Sequence, residues 1–198
     1  MLYAIAHFLR DRLPFIWDLI DLLNSWLFGL RYGNKLSGVE SATLQKYGKE
    51  CNMKIVPMRE VPAEKLEKFF AAQPEGAYEF FKPHGFDAKS IKKIQRLNSF
   101  FAYIMLDGDT VVGYCFIRSF FHGKGFRGRM VSISHRGRGL GTLMNRMMNE
   151  VGFGIGLRLF ETVSKRNVAS YRSAMSASNV KVIEEMEDDD LYLEILKD

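Results

Sequence analysis

The chain has 198 residues, of which 47% are hydrophobic, 26% charged and 13% aromatic. This length suits one domain with an appendage, and the composition excludes a disordered chain, a collagen and a coiled coil. The formal net charge is +5, and the two cysteines, Cys51 and Cys115, are too few for a disulfide framework or a zinc site of two cysteine pairs. We expect a packed globule in a reducing, cytoplasmic setting without a metal centre.

The first thirty residues predict an amphipathic helix rather than a membrane span. Charged residues interrupt every apolar stretch long enough to cross a bilayer, namely Arg10, Asp11, Arg12, Asp18 and Asp21. Between Phe15 and Leu30, apolar residues recur at the spacing of one helix face. Pro14 suits the first turn of this helix, and Gly33 suits its end.

The apolar surface of this helix is wider than one contact face needs, because Trp17, Leu22 and Phe28 extend it. Two partners for residues 1–30 stay open. One is the helix's own domain or a second copy in a homodimer. The other is a membrane surface, which would hold the helix among lipid headgroups at the inner face of the membrane.

From about Gly48 onward, short apolar runs alternate with helical patterns, which is typical of an α/β domain. We therefore divide the chain into a helical extension, residues 1–48, and a domain, residues 49–198. The predicted helices of the domain are 62–73, 90–97, 142–151 and 168–177. The predicted strands are 54–58, 100–106, 111–120, 129–134, 157–163, 180–184 and 191–196.

The segment from Ser134 to Thr142, SHRGRGLGT, which we call the glycine turn, has the features of an anion site. It lies between a predicted strand and an amphipathic helix, where backbone N–H groups lack intrahelical partners and carry the positive end of the helix dipole. Glycines let the backbone approach a phosphate closely, and Arg136 and Arg138 add positive charge. The alternative is an ordinary glycine turn with solvated arginines.

Two common phosphate motifs do not fit this segment. A P-loop needs a lysine after its last glycine, whereas Thr142 follows Gly141. A dinucleotide fingerprint needs G-x-G-x-x-G early in the fold, whereas the spacing here is G-x-G-x-G and comes late. Nucleic acid is not expected as a partner either, because the arginines concentrate in this turn and no basic helix with interleaved aromatic residues is present.

Arg136, Gly139 and Gly141 fit the form R/Q-x-x-G-x-G/A, and Asn167 to Ser170 supplies a later Asn-x-x-Ser segment. In this order of elements, residues 52–196 resemble the GCN5-related N-acetyltransferase (GNAT) family. The resemblance implies an α+β fold with a mostly antiparallel central sheet flanked by helices. It also implies transfer of an acetyl group from acetyl-CoA to a primary amine of a small acceptor in a ternary complex.

The segment FKPHGF, residues 81–86, is also similar to members that acetylate amino sugars for surface polysaccharides. An amino sugar nucleotide is therefore one expected acceptor. Two further readings stay open: a non-catalytic module that binds acetyl-CoA, and an acetyltransferase for protein or peptide amines. The sequence alone does not choose among the acceptors, because loops build the acceptor pocket.

The resemblance implies a set of coenzyme-binding residues. The pyrophosphate would lie on the backbone of the glycine turn, the pantetheine arm would pair with the preceding strand, and the Asn-x-x-Ser segment would contact the arm. These residues are Val131, Ser132, Ile133, Arg136, Gly137, Arg138, Gly139, Leu140, Gly141, Thr142, Asn167 and Ser170.

Two candidate catalytic residues come from departures from the family pattern. Many members carry a tyrosine that protonates the leaving thiolate at the position of Ala174, so Tyr171, one helical turn earlier, is a candidate acid, with simple packing as the alternative. Alternation places Glu161 on an otherwise apolar strand face. A carboxylate desolvated there suits a general base, whereas a flipped register would send Glu161 to solvent.

Two histidines complete the candidates. His135 precedes the glycine turn and is a possible base, with a cap of the backbone or a phosphate contact as the alternative. His84 lies in a segment that shapes acceptor sites in the family, where it could bind or deprotonate the acceptor. A surface histidine without a role is the alternative for His84.

Overall fold

The structure is a computed structural model that describes residues 14–186 and 189–197. The predicted part of the extension before residue 14, with Arg10, Asp11 and Arg12, lies outside the described residues. The helices are α1 (Pro14–Cys51), α2 (Ala63–Ala71), α3 (Ala88–Gln95), α4 (Leu140–Gly154) and α5 (Val168–Ala177). The strands are β1 (Lys54–Pro57), β2 (Phe100–Asp107), β3 (Thr110–Ser119), β4 (Lys124–Val131), β5 (Arg158–Ser164), β6 (Val180–Glu185) and β7 (Asp190–Ile195).

The seven described strands form one sheet in the order β1-β2-β3-β4-β5-β7-β6. Neighbours are antiparallel except β4 and β5, which run parallel and pair over only three positions, from Lys124↔Arg158 to Phe126↔Phe160. Beyond that point β4 continues to Val131 and β5 to Ser164 without pairing to each other. The sheet therefore opens between these two strands.

Helices cover both faces of the sheet. On one face, α1 and α4 bury a core that includes Phe28, Tyr32 and Met147. On the other, α2 and α3 bury a second core that includes Leu66 and Ile91. The expected α+β architecture with a mostly antiparallel sheet flanked by helices is confirmed.

Helix α1 does not end at Gly33, as the sequence predicted, but continues to Cys51. A glycine inside a helix costs about 1 kcal/mol relative to alanine, which packing can outweigh. Here Tyr32 and Leu36, on the two sides of Gly33, are buried in the main core, as is Tyr47 farther along α1. The expected boundary at residue 48 therefore falls within the last turn of α1, and residues of the extension form part of the main core.

Strand β4 spans Lys124–Val131 and not the predicted 129–134, and residues Ile133–His135 form a short 3-10 turn. The first half of this strand was not predicted because it contains two glycines, Gly125 and Gly128, and glycine has a low strand propensity. The structure explains them: a Cβ at Gly128 would lie 2.6 Å from the ring of Phe116, and one at Gly125 would lie 2.9 Å from Ile117. Larger neighbouring side chains on β3 cover both glycines.

None of the helices described for this chain is long and apolar enough to cross a bilayer.

Candidate active site

A groove of about 770 Å³ runs from the amino end of α4 into the gap between β4 and β5. The glycine turn and α4 form one end, and β4, β5 and α5 form its walls. Phe80 and Phe81, from the loop between α2 and α3, also line it. The groove thus joins the anion site predicted from the sequence to the opening in the sheet.

The glycine turn presents unpaired backbone donors at the end of this groove. Gly137 and Gly139 both have φ of +76°, and Gly139 caps the amino end of α4. The first helical backbone bond of α4 runs from the N–H of Leu143 to the carbonyl of Gly139. The N–H groups of Leu140, Gly141 and Thr142 therefore have no partner within the helix, and at its positive end they are suited to an anion.

The glycines of this turn are needed for their conformation and not for lack of space. No protein atom lies within 4 Å of a Cβ built on Gly137 or Gly139. A left-handed backbone is strained for a residue with a Cβ. The open space beside both glycines is the cradle into which a phosphate would fit.

The two arginines of the turn lie differently. Arg136 is exposed, lines the groove, and its Nε is 3.4 Å from the carbonyl oxygen of Val131. Arg138 is exposed and is not part of the groove lining. Arg136 is therefore the better placed of the two to reach an anion at the turn.

The open edge of β4 differs from the expected one. The N–H of Ser132 donates to the carbonyl of Val112 on β3 at 2.8 Å, and the N–H of Ile133 donates to Oε1 of Gln73 at 3.3 Å. Since hydrogen-bonded pairs alternate in an antiparallel ladder, the backbone groups of Arg129 and Val131 point into the gap. The expected pairing surface at Ser132 and Ile133 is thus wrong, because these N–H groups are already used.

The inner wall of the groove carries a buried arginine–glutamate cluster, formed by Arg127, Arg129 and Glu161. Nε of Arg127 lies 2.7 Å from Oε2 of Glu161, and Nη1 of Arg129 lies 3.7 Å from the same oxygen. The three side chains are at most 8% exposed. Burial lowers the pKa of Arg129, although the charge of Glu161 opposes this shift.

Neighbouring helices hold the cluster in place. Arg127 donates through Nη1 to Oδ1 of Asn149 and to the carbonyl of Asn145 on α4. Arg129 donates through Nη2 to the carbonyl of Ser170 at 2.9 Å. Two buried atoms, Nη2 of Arg127 and Oε1 of Glu161, have no hydrogen-bond partner. The wall of the groove therefore contains one donor group and one acceptor atom without a hydrogen-bond partner.

Glu161 is buried, so the alternative of a flipped register that exposes it is wrong. The apolar surroundings expected for it are also wrong, since two guanidinium groups face its carboxylate. The geometry therefore gives the carboxylate of Glu161 the role of holding the two arginines.

The candidate residues of helix α5 and its amino-terminal cap, Asn167, Ser170 and Tyr171, make mainly structural contacts. Asn167 caps the helix, its Oδ1 accepting from the N–H of Ser170 at 3.1 Å. Tyr171 packs on the small core of Val163, Leu191 and Leu193 and is not part of the groove lining. The structure thus gives Tyr171 the packing role, and Ala174 is buried.

His135 lines the groove near the glycine turn. Its Nδ1 lies 2.8 Å from Oγ of Ser134, and its Nε2 lies 3.5 Å from Oδ2 of Asp107. It is separated from the arginine–glutamate cluster, with which it shares no contact of hydrogen-bond length. Among the residues that the structure describes, no group of three or more His, Cys, Asp or Glu is arranged to hold a metal ion.

His84 lies outside the groove lining, with both ring nitrogens engaged. Nδ1 donates to the carbonyl of Gly85 at 2.7 Å, so Nε2 of the neutral ring accepts from the hydroxyl of buried Tyr114, also at 2.7 Å. Burial lowers the pKa of His84 and raises that of Tyr114. These two bonds tie the loop of His84 to β3, and a contact between His84 and an acceptor stays a prediction.

Sequence reasoning missed Arg127 and Arg129 as parts of the site. Both lie on β4, whose predicted bounds began at residue 129, so Arg127 fell outside the predicted strand and the two arginines were not placed on a common face. With the correct bounds, the same rule of alternation puts the two arginines on one face of the strand. No sequence pattern indicated that Phe80 and Phe81 line the groove, since they lie in a loop without periodicity.

No protein-family model and no curated protein matches the sequence. Solved structures match the fold. The GNAT domain of PAT from S. lividans superposes with a TM-score of 0.63 at 16% identity, over 72% of this chain and 89% of that domain. The fold is that of the GNAT acetyltransferases.

Two further GNAT-fold structures carry ligands. N-acetyltransferase PseH from Campylobacter jejuni, in complex with acetyl coenzyme A, has a TM-score of 0.55 at 15% identity and covers 74% of this chain and 99% of that one. AAC(6')-Ib in complex with ribostamycin and coenzyme A has a TM-score of 0.54 at 17% identity and covers 72% and 92%. At these identities the likeness establishes the fold.

Proposed function

We propose that the protein is an N-acetyltransferase that moves an acetyl group from acetyl-CoA to a primary amine of a small acceptor. One observation carries the proposal: a single groove joins the left-handed glycine turn at the amino end of α4 to the open edge of β4. The first part suits a pyrophosphate, and the second suits an extended arm with amide groups. Coenzyme A combines both chemistries in one molecule.

The residues of the groove fit this coenzyme. Backbone N–H groups of Leu140, Gly141 and Thr142, with the Arg136 side chain, would hold the pyrophosphate. The backbone of Arg129 and Val131 would pair with the amides of the arm like an added strand. When bound, acetyl-CoA supplies a thioester that an amine can attack. The complex of PseH with acetyl coenzyme A, in the same fold, supports this assignment.

The arginine–glutamate cluster would supply electrostatic stabilisation in place of a tyrosine acid. Two guanidinium groups and one carboxylate give the inner wall of the groove a net positive charge. Fixed positive charge in a water-poor site stabilises negative charge that develops during a reaction. In this proposal Arg127 and Arg129 act on the developing anion and Glu161 positions both arginines. The proton of the amine passes through water to His135, which lines the same groove but does not contact the cluster.

The acceptor is proposed to be a small amine, with amino sugar nucleotides as the first class to test. Phe80 and Phe81 border the groove and offer apolar surface for a sugar ring. AAC(6')-Ib, which shares the fold, was crystallised with ribostamycin. Peptide amines are the alternative acceptors, and they would need a longer open cleft.

A second candidate function is a module that binds acetyl-CoA without turnover. It is favoured by the buried Ala174, where many family members have the acid, and by the packing of Tyr171 away from the groove. Binding and turnover must therefore be measured separately.

Thermal unfolding with acetyl-CoA, coenzyme A, NADH and ATP tests the binding half of the proposal. A ligand present at 100 times its dissociation constant stabilises the folded state by about 2.7 kcal/mol, which corresponds to several degrees in a chain of this size. Stabilisation by acetyl-CoA and coenzyme A, but not by NADH or ATP, is expected. No shift with either coenzyme A species would overturn the assignment of the groove.

Release of the coenzyme thiol in the presence of amines tests the catalytic half. The panel contains an amino sugar nucleotide, an aminoglycoside and a peptide with a free amino terminus. Thiol release with an amine is expected to require Arg129, so Arg129→Met should lower kcat by at least about tenfold. Binding of acetyl-CoA without thiol release from any amine would favour the non-catalytic module.

A further inference from the structure

The first half of α1 turns its apolar side to the outside. Six side chains, which we call the apolar face of α1, lie within an arc of about 100° and are 55–68% exposed: Phe15, Leu19, Leu22, Leu23, Trp26 and Leu30. A surface helix ordinarily points such a stripe at its own core. The expected packing on its own domain is therefore not found for these six side chains, although α1 does pack on the domain through its opposite side.

The polar side of the same half faces the body of the protein. Asp18 pairs with Lys93 of α3, and Asp21 pairs with Arg118 of β3 at 3.1 Å. Asn24 donates to the carbonyl of Ser119 at 2.9 Å and accepts from the N–H of Phe121. These contacts fix the rotation of the helix, because turning the apolar face inward would break all of them.

Buried side chains add to this constraint. Phe28 belongs to the main core, and Oγ of Ser25 accepts from the N–H of Asn98 at 2.7 Å. Both lie on the inner side of α1, opposite the exposed stripe. Among residues 14–186 and 189–197, nothing covers the apolar face of α1, which is thus an outer surface of the described fold and suits a further partner.

The charges of this half of α1 favour an anionic partner, with Arg31 on the flank of the apolar face and Lys35 on the opposite side of the helix. The two acidic residues of α1 between residues 14 and 36, Asp18 and Asp21, are already paired with cations of the body. Arg31 donates to the carbonyl of Phe121 and lies over the ring of Tyr32, both of which are neutral, and Lys35 is exposed. The charge left uncompensated along this stretch is therefore positive, within a chain of net charge +5.

A second copy of the chain fits these charges less well. In a dimer through the apolar face, Arg31 on its flank would find no free carboxylate of α1 on the other copy, since Asp18 and Asp21 are paired within their own copy. Anionic lipid headgroups would meet this cation directly. Trp26 also suits the boundary between headgroups and acyl chains, since its ring is apolar and its N–H polar.

We propose that α1 lies flat on a membrane surface that contains anionic lipids, with the apolar face of α1 among the upper acyl chains and the guanidinium group of Arg31 reaching the headgroups from the flank of the helix. Phe121, which is 45% exposed and bonded to Asn24 and Arg31, extends the contact. The protein is then a peripheral membrane protein held by one half of one helix. This inference does not depend on the proposed acetyl transfer.

The chain provides its own fluorescent probe for the test. Its two tryptophans both lie in α1, Trp26 on the apolar face and Trp17 away from it. The full chain with Trp17→Phe therefore reports Trp26 alone. With vesicles of phosphatidylcholine and phosphatidylglycerol, we expect a blue shift of Trp26 emission and quenching by lipids brominated near the top of their tails. Pure phosphatidylcholine vesicles should bind at least about tenfold more weakly, because they lack the anionic headgroups.

Leu19→Glu combined with Leu23→Glu should lower vesicle affinity at least about tenfold while leaving thermal unfolding unchanged, because both side chains are exposed. Ile183→Glu, an equally drastic change on exposed β6, is the matched control and should bind vesicles like the unaltered chain. Absence of a spectral shift with anionic vesicles would overturn the proposal. So would a dimer in sedimentation equilibrium that the double change dissociates and that vesicles do not compete with.

Discussion

Gly139 serves the helix and the groove through the same backbone conformation. Its φ of +76° caps α4 and directs three free N–H groups outward. We expect Gly139→Ala to lower the free energy of unfolding by about 1 kcal/mol, because a Cβ strains a left-handed backbone. It should also weaken coenzyme A binding. Urea unfolding and thermal shift with coenzyme A measure the two effects.

Gly33→Ala is the matched control for this change. Gly33 lies inside α1, its φ is not positive, and a Cβ added there would meet no neighbouring atom within 4 Å. Alanine there should raise the free energy of unfolding by about 0.5–1 kcal/mol and leave coenzyme affinity unchanged. Equal stability effects of the two changes would contradict the role assigned to the backbone of Gly139.

The buried pair of Arg127 and Glu161 gives a second prediction at single positions. Glu161→Leu should destabilise the fold by about 3–5 kcal/mol, because it leaves two buried guanidinium groups without a counter-charge. Adding Arg127→Met should recover a large part of this loss, since only Arg129 then remains unpaired. Urea unfolding of the two variants measures the coupling, and additive losses would argue against an energetically coupled pair.

At this scale, sequence alternation gave the burial of Glu161 as one of two alternatives and did not indicate its partners. The carboxylate lies on β5, whose predicted and observed bounds nearly coincide. Arg127 comes from β4, which begins at Lys124 and not at the predicted residue 129. A cross-strand ion pair needs the register of both strands, and a single sequence does not supply the second one.

At the scale of elements, the loop between α2 and α3 depends on a neutral histidine. His84 is surrounded by aromatic rings, among them Phe70, Phe86 and Phe100, and burial lowers its pKa. In the unfolded chain its pKa is about 6.5, so the unfolded state binds the proton more readily. Its contribution to stability is therefore complete above about pH 6.5 and falls as the pH drops below that value.

We expect Tm to fall between about pH 7.5 and pH 5.5, and to fall less in His84→Gln, which lacks the titrating group. Above about pH 7, the variant should be less stable than the unaltered chain because it loses ring contacts. An identical pH dependence in both proteins would show that His84 does not control this window. Carboxylates contribute mainly at lower pH, so the chosen range separates the two effects.

Some elements could be predicted closely from the sequence and others could not, for physical reasons. Helix α5 has the predicted bounds, because Asn167 provides an N-cap of a recognised type. The end of α1 was placed at Gly33, because helix propensity is local whereas the packing of Tyr32 and Leu36 is not. The loop that carries Phe80 and Phe81 has no periodic signal that indicates its position over the groove.

For the whole molecule, α1 has one side built into the core and one side directed outward. Truncating an aromatic side chain should therefore lower the free energy of unfolding strongly on the inner side and hardly at all on the outer side. Phe28 is 0% exposed and packs on Tyr32 and Phe101, whereas Trp26, two residues earlier on the other side of the helix, is 60% exposed. Phe28→Ala should destabilise the fold by about 3–5 kcal/mol, because it leaves a cavity in the main core. Trp26→Ala should change the free energy of unfolding by less than about 0.5 kcal/mol.

Urea unfolding followed by circular dichroism measures this difference in the full chain, without vesicles. A large loss in Phe28→Ala with a single cooperative transition would show that α1 and the sheet unfold as one unit. Two separate transitions would instead mean that α1 is an independent appendage. A large loss in Trp26→Ala would mean that the apolar face of α1 is covered within the isolated chain, and it would remove the reason for an external partner.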